Sequence, residues 1–213
     1  MDSRAVDLAA RVRLLRGAAP GRRVIVAIAG IPGSGKTTLA AALVARLNAD
    51  TPPPTHAIAV PMDGFHLSKA TLSASTDPPR FHARRGAPFT FDPTALLTLL
   101  RRIRYDAPHE TIPAPAFSHA TGDPVAAAIH IAPHHRVVVV EGLYLLADVA
   151  PWCHIRPLCD LCYWLDVDLA TARERVVVRH VDAGLASTRV DAEKRWELND
   201  ELNALWVLKH SVR

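Results

Sequence analysis

The residues most clearly spaced for chemistry are Gly30, Ile31, Pro32, Gly33, Ser34, Gly35, Lys36, Thr37 and Thr38. They fit G-x-x-x-x-G-K-[ST], in which glycines let successive backbone N–H groups converge on a phosphate. The lysine then reaches the β- and γ-phosphates of a nucleoside triphosphate, and the Thr37 hydroxyl is placed to ligate Mg²⁺. Other positions add charge where such a site can use it. Asp63 lies just beyond the apolar run 57–60, in Met62-Asp63-Gly64-Phe65-His66, and Glu141 ends the apolar run 137–140. A carboxylate at the carboxyl end of a strand can serve as general base toward a hydroxyl. Asp63 has an alternative use as the cap of a helix starting near Gly64. An acid in the place of Glu141 can hold the Mg²⁺ shell opposite Thr37. Arg175 and Arg179 are four apart, so on a helix they share a face and can clamp a phosphoryl group.

Apolar runs and helical periodicity supply the elements that must position these groups. The β-branched run 23–29 reads as a buried parallel strand directly before the glycine loop. Residues 38–47 read as a helix directly after it, with Leu39, Leu43 and Leu47 on one face. Further strands are expected at 57–60, 136–142 and 161–167, and the run 205–208 resembles a last short one. The stretch 50–54, with three prolines, stops regular structure. Helices are expected up to Gly17, over 94–104, from Asp168 to a stop at Gly184, and over 189–202. Asp92 at N-cap and Pro93 at N1 start the second of these. This order predicts an α/β fold: a three-layer P-loop NTPase domain with a parallel sheet of about five strands flanked by helices. One domain is expected over 1–213, with a core of 15–61 and 134–208 and a substrate-side insertion at about 64–131. In that insertion, 73–93 reads as a long basic loop whose Arg84 and Arg85 either hold a phosphate or polar acceptor or are solvated. Residues 111–119 read as extended, and Pro113 and Pro115 keep them at an edge or outside the main sheet. His66 and His119 are candidate acceptor contacts or ordinary polar surface.

Composition narrows the class. No apolar run approaches the ~20 residues of a membrane span. The net charge of +4 suits a polyanionic ligand, but with only 6% aromatic residues the chain lacks the interleaved pattern of a nucleic-acid binder. Cys153, Cys159 and Cys162 are odd in number, which argues against a disulfide framework and for reduced thiols in a reducing compartment, the cytoplasm. The N-terminal helix has some likeness to a mitochondrial presequence, but Asp2 and Asp7 count against that alternative.

Five segments carry a resemblance to a known family. Residues 30–38, Met-Asp-Gly-Phe-His at 62–66, Arg-Arg-Gly-Ala-Pro-Phe-Thr-Phe-Asp at 84–92, Phe-Ser-His at 117–119 and Val-Val-Glu-Gly-Leu-Tyr at 139–144 recur in this order in uridine kinase-like P-loop kinases. That group also holds phosphoribulokinase and type I pantothenate kinase. The tail, with Arg179-His180-Val181, Asn199-Asp200 and Asn203, is similar to a branch described only as nucleoside/nucleotide kinases. The resemblance implies ATP phosphates at 30–38, Mg²⁺ near Thr37 and Glu141, an acceptor-side carboxylate at Asp63, and lid arginines at Arg175 and Arg179. Uridine kinases carry adjacent lid arginines, whereas here His180 follows Arg179. The expected reaction is γ-phosphoryl transfer from ATP to a hydroxyl of a nucleoside-, sugar- or pantothenate-like small molecule. The rival is a P-loop ATPase that works as a switch with a protein partner. The acceptor and the oligomeric state, a homo-oligomer included, stay open at this stage.

Overall fold

A computed structural model describes residues 3–49, 56–106 and 110–213. The proline-rich stop expected at 50–54 lies outside them. Among the described residues, β1 (Val24–Ala29), β2 (His56–Pro61), β5 (His135–Gly142) and β6 (Leu161–Trp164) form a sheet in the order β2-β5-β1-β6. Every pairing in it is parallel. β3 (Ile112–Ser118) and β4 (Asp123–Ile131) pair as a separate antiparallel hairpin, outside the main sheet as their prolines require.

The strand sequences explain the layers. In β1, Ile25, Ala27 and Ala29 enter the core on one face of the sheet, and Val24, Val26 and Ile28 enter the core on the other. β5 divides its valines likewise, Val138 and Val140 against Val137 and Val139. A strand buried on both faces needs a continuous apolar run, and burial of each such side chain stabilises by about 1.5–3 kcal/mol. α1 (Ser3–Ala18) and α2 (Lys36–Ala49) cover the second face, through Leu8, Val12, Leu39 and Leu43. α5 (Pro93–Tyr105), α6 (Leu169–Asp182) and α8 (Glu201–His210) cover the first. α5 starts as its sequence predicts, with the Asp92 carboxylate accepting from Ala95 N at 2.9 Å, and Asp168 caps α6 through Thr171 N at 2.8 Å.

Two expectations are corrected. The run 205–208 lies inside α8, with Val207 buried and Leu205 49% exposed, so it adds no strand, and among the described residues the parallel sheet has four. A short apolar run carries no period, and here the helix won because its buried residues, Asn203, Ala204 and Val207, recur at helical spacing. The segment 73–93 is not a structureless loop. α3 (Lys69–Ser73), α4 (Pro78–Ala83) and a 3₁₀ turn (Pro88–Thr90) occupy it, and the Asp77 carboxylate caps α4. The helix expected over 189–202 runs further, as α7 (Arg189–Arg195), a π-turn (Trp196–Asp200) and α8. No helix among the described residues is long and apolar enough to cross a membrane.

Candidate functional site

The glycine loop leaves the carboxyl end of β1 and enters α2 at Lys36. Gly33 has φ +76°, and a Cβ there would stand 2.4 Å from the Ala172 carbonyl oxygen of α6, so only glycine lets α6 pack over the loop. Lys36 is 8% exposed; its Nζ donates to the Ile31 carbonyl at 2.9 Å. Burial pushes its pKa down to about 8, although Glu141 and Asp63 pull upward.

Strand register brings the acids to that lysine. Ile28 of β1 pairs with Glu141 of β5, and Pro61 of β2 pairs with Glu141 from the other side. The Thr37 hydroxyl donates to Glu141 Oε1 at 3.0 Å. Burial raises the Glu141 pKa, and the nearby Asp63 charge pushes the same way. An exposed hydroxyl beside a buried carboxylate, both hard oxygen donors, fits Mg²⁺, which takes one or two protein ligands and completes its shell with phosphates and water. Among the described residues no group of three or more His, Cys, Asp or Glu side chains is arranged to hold a metal alone.

Asp63 follows β2 in a single 3₁₀ turn (Met62–Phe65) that has no side-chain cap, so its carboxylate is not engaged in capping. A Cβ on Gly64 would lie 2.3 Å from the Pro115 carbonyl; the hairpin thus presses directly on the turn that carries Asp63. Asp63, Lys36, Thr37, Glu141, Arg179 and His66 all line one cleft of about 190 Å³. His66 Nδ1 lies 2.8 Å from the Asp63 backbone carbonyl, and burial lowers its pKa. A second cavity, about 500 Å³, opens beside His66 between α5 and the hairpin, without the phosphate-side residues.

The remaining candidates divide. Arg179 reaches the cleft; Arg175 instead donates to the Gly33 carbonyl at 3.3 Å from the loop's outer side. Arg84 donates to Asn199 Oδ1 at 3.1 Å and Asn203 Oδ1 at 3.0 Å. Arg85 lines the cleft but donates to Gly122 O, Leu67 O and Asp123 Oδ1 at 2.6, 3.1 and 2.8 Å. Neither guanidinium is solvated in the way a surface arginine is. His119 is exposed near the hairpin turn, packed edge-on to Phe117, and is not brought into the cleft. Cys159 is half-buried, with Sγ 3.6 Å from the Ile155 carbonyl.

Three cleft residues, Asn199, Asp200 and Asn203, carried part of the family resemblance in the sequence but were given no place in the site. Their signal was Asn, Asp and Asn inside an otherwise helical stretch, residue types that favour caps and turns over helix interiors.

Comparison with known proteins follows the same lines. The sequence pattern of the phosphoribulokinase / uridine kinase family matches residues 25–183. A Schizosaccharomyces pombe protein provisionally named a uridine kinase is 39% identical over 191 residues, 90% of this chain and 80% of that one. An Aspergillus versicolor protein named ATP-dependent kinase-like protein notR′ is 41% identical over 153 residues, 71% of this chain and 89% of that one. A Silicibacter sp. TM1040 crystal structure, provisionally named a fructose transport system kinase, superposes with a TM-score of 0.82 at 34% identity. That match covers 100% of this chain and 97% of that one.

Proposed function

Because the chain belongs to the phosphoribulokinase / uridine kinase family, we propose that it transfers the γ-phosphoryl group of ATP to a hydroxyl of a small molecule. The observation that carries this reading is the convergence of Lys36, Thr37, Glu141, Arg179 and Asp63 on one cleft. Triphosphate binds the backbone N–H groups of residues 30–38 at the start of α2, with Lys36 on its β- and γ-oxygens. Thr37 and Glu141 would hold Mg²⁺, which would neutralise charge on the phosphates. Asp63 takes the proton of the acceptor hydroxyl as the new P–O bond forms and the bond to the β–γ bridging oxygen breaks, and ADP leaves. Arg179 stabilises the transferring group, and Arg175 is poised beside the loop for the same purpose. His66 and Arg85 shape the acceptor end, and Arg84 braces it.

On this reading the 213 residues are one kinase domain, with a core of 15–61 and 134–208. The insertion at 64–131, which holds α3, α4, α5 and the hairpin, faces the acceptor. Relatives named for a nucleoside and for a fructose transport system leave the acceptor class to experiment. The test is ADP release from ATP-Mg²⁺ with and without a panel of nucleosides, sugars and pantothenate. Acceleration by one class, with appearance of its phosphate ester, supports the proposal. Slow release that no acceptor accelerates, and that Lys36→Ala removes, identifies an ATPase instead.

A further inference from the structure

The acceptor end of the cleft is closed by a helix with a defect. Between α7 and α8 the chain makes a π-turn at Trp196–Asp200, anchored by the fully buried Trp196. A π-turn inserts one residue into the helix and rotates the side chains that follow, a distortion frequent at functional sites. Here it turns Asn199, Asp200 and Asn203 together toward the cleft that holds Lys36 and Asp63.

The hydrogen bonds of these three side chains separate braces from free groups. Asn199 is a brace: its Oδ1 accepts from Arg84 Nε, and its Nδ2 donates to the Arg85 carbonyl at 2.9 Å. Asn203 is 2% exposed, and its Oδ1 accepts from Arg84 Nη2. That bond fixes the amide orientation, so Nδ2 points toward Gly86, 3.5 Å from where a Cβ would be. Nδ2 makes no hydrogen bond to protein among the described residues. The Asp200 side chain is 17% exposed; His180 Nε2 stands 3.6 Å away, beyond good hydrogen-bond distance, and Arg179 and Arg195 lend nearby positive charge without a hydrogen bond to it. A nearly buried carboxylate and a nearly buried amide donor, both aimed into a cleft and both short of side-chain hydrogen-bond partners, are costly unless a ligand completes them.

The surroundings restrict that ligand. Asp63 and Asp200 put two carboxylates on the acceptor side, Arg84 and Arg85 are engaged by protein acceptors, and on the reading above Arg179 is taken by the transferring phosphoryl group, so an anionic acceptor meets repulsion there. Phe91 is 4% exposed, and Phe117 lies under the Arg85 guanidinium at 5.4 Å and beside His66 at 5.0 Å. Neither phenylalanine offers an open face to a nucleobase. A carboxylate accepts two O–H groups, and an amide N–H donates to a third oxygen, which is the pattern of adjacent hydroxyls.

We propose that Asp200 and Asn203, presented by the π-turn, bind the hydroxyl groups of an uncharged polyhydroxylated acceptor of the monosaccharide or polyol class. The inference rests on the kinase reading above. It makes Asp200 and Asn203 specificity-determining residues and Arg84 a positioning residue that acts through Asn203.

The experiment measures ADP release and ester formation with D-ribose, D-fructose, D-glucitol, uridine, pantothenate and ribulose 5-phosphate as probes. A neutral sugar or polyol is expected to be the accelerated acceptor. In Asp200→Asn its KM rises roughly ten- to a hundredfold, the span of a hydrogen bond to a charged group, while the ATP KM holds. Asn203→Asp keeps the acceptor for Arg84, removes the donor, and raises the sugar KM as well; it serves if Asp200→Asn fails to fold. Wild-type and Asp200→Asn proteins become equal on the deoxy sugar that lacks the bound hydroxyl, which a merely structural role does not produce. Preferred phosphorylation of uridine, pantothenate or ribulose 5-phosphate overturns the acceptor class and leaves the kinase reading intact. An unchanged sugar KM in both variants overturns the assignment of the two residues. ADP release that no probe accelerates overturns the kinase reading, and this inference with it.

Discussion

Lys36 is placed for ligand at the expense of the free protein, and that conflict is measurable. Its ammonium is buried, with one 2.9 Å bond to the Ile31 carbonyl, and its pKa falls from 10.5 to about 8. Holding the charged form there costs roughly 3 kcal/mol of stability. Lys36→Met keeps the volume, removes the charge, and forfeits the bond to Ile31, worth about 1 kcal/mol. The variant should therefore be more stable than the wild type at pH 7 by about 2 kcal/mol, or a Tm higher by about 4–8 °C. Linkage gives the sign of the pH dependence. Below pH 8 the lysine is charged in both states and the penalty is complete. Between pH 8 and 10.5 the unfolded chain keeps a proton that the folded chain has released, so wild-type stability gains on the variant as pH rises. By pH 10.5 the advantage of Lys36→Met is gone. Urea denaturation of both proteins at pH 7 and pH 10, in EDTA and without nucleotide, reads this directly. The same variant should lose the thermal shift produced by ATP-Mg²⁺. A Lys36→Met protein less stable than the wild type at pH 7, or an advantage independent of pH, refutes the account of a buried charge waiting for phosphate.

Three further outcomes are expected. Asp63→Ala should lower turnover by about 10²–10⁴-fold, the usual contribution of a general base, while nucleotide binding by fluorescence titration stays unchanged; normal turnover moves the proton to another group. Gly33→Ala forces a Cβ to within 2.4 Å of the Ala172 carbonyl at φ +76°. It should lower stability by about 2 kcal/mol or more, and a calorimetric Tm within a degree of wild type removes the close-packing argument. Burial pushes the His180 pKa down to about 4, helped by Arg195 and Arg179. Its folded pKa is below its unfolded one, so its stabilising contribution is complete above pH 6.5 and is lost as pH falls toward 4. His180→Gln should flatten that part of the pH profile, and equal acid sensitivity in the two proteins assigns the loss elsewhere.

What could be read without coordinates depended on how local each constraint is. The phosphate loop was legible because strand, glycines, lysine and helix are contiguous, and each glycine answers to a neighbour in sequence or to one packed helix. Asp92-Pro93 and Asp168 likewise announce α5 and α6, since a cap acts three residues away. The run 205–208 was misread because four apolar residues fit a strand or a buried helix equally, and only the packing of Trp196, Ala204 and Val207 decides. Arg84 and Arg85 left two readings open for a different reason. Their partners, Asn199, Asn203 and Asp123, stand 38 to 119 residues away, and nothing near an arginine in sequence tells which acceptor it will meet. The far end of the cleft is built largely of such long-range contacts. Residues 63–66, 84–91 and 199–203 meet there only because the hairpin presses on Gly64 and the π-turn rotates α8 toward Gly86. The glycine loop is written in one segment, whereas the far end of the cleft depends on how three segments pack. On the proposed reading, a change in either brace, Arg84 or Asn199, should therefore alter acceptor KM values and leave the ATP KM unchanged, as acceptor and ATP titrations of the two variants would read.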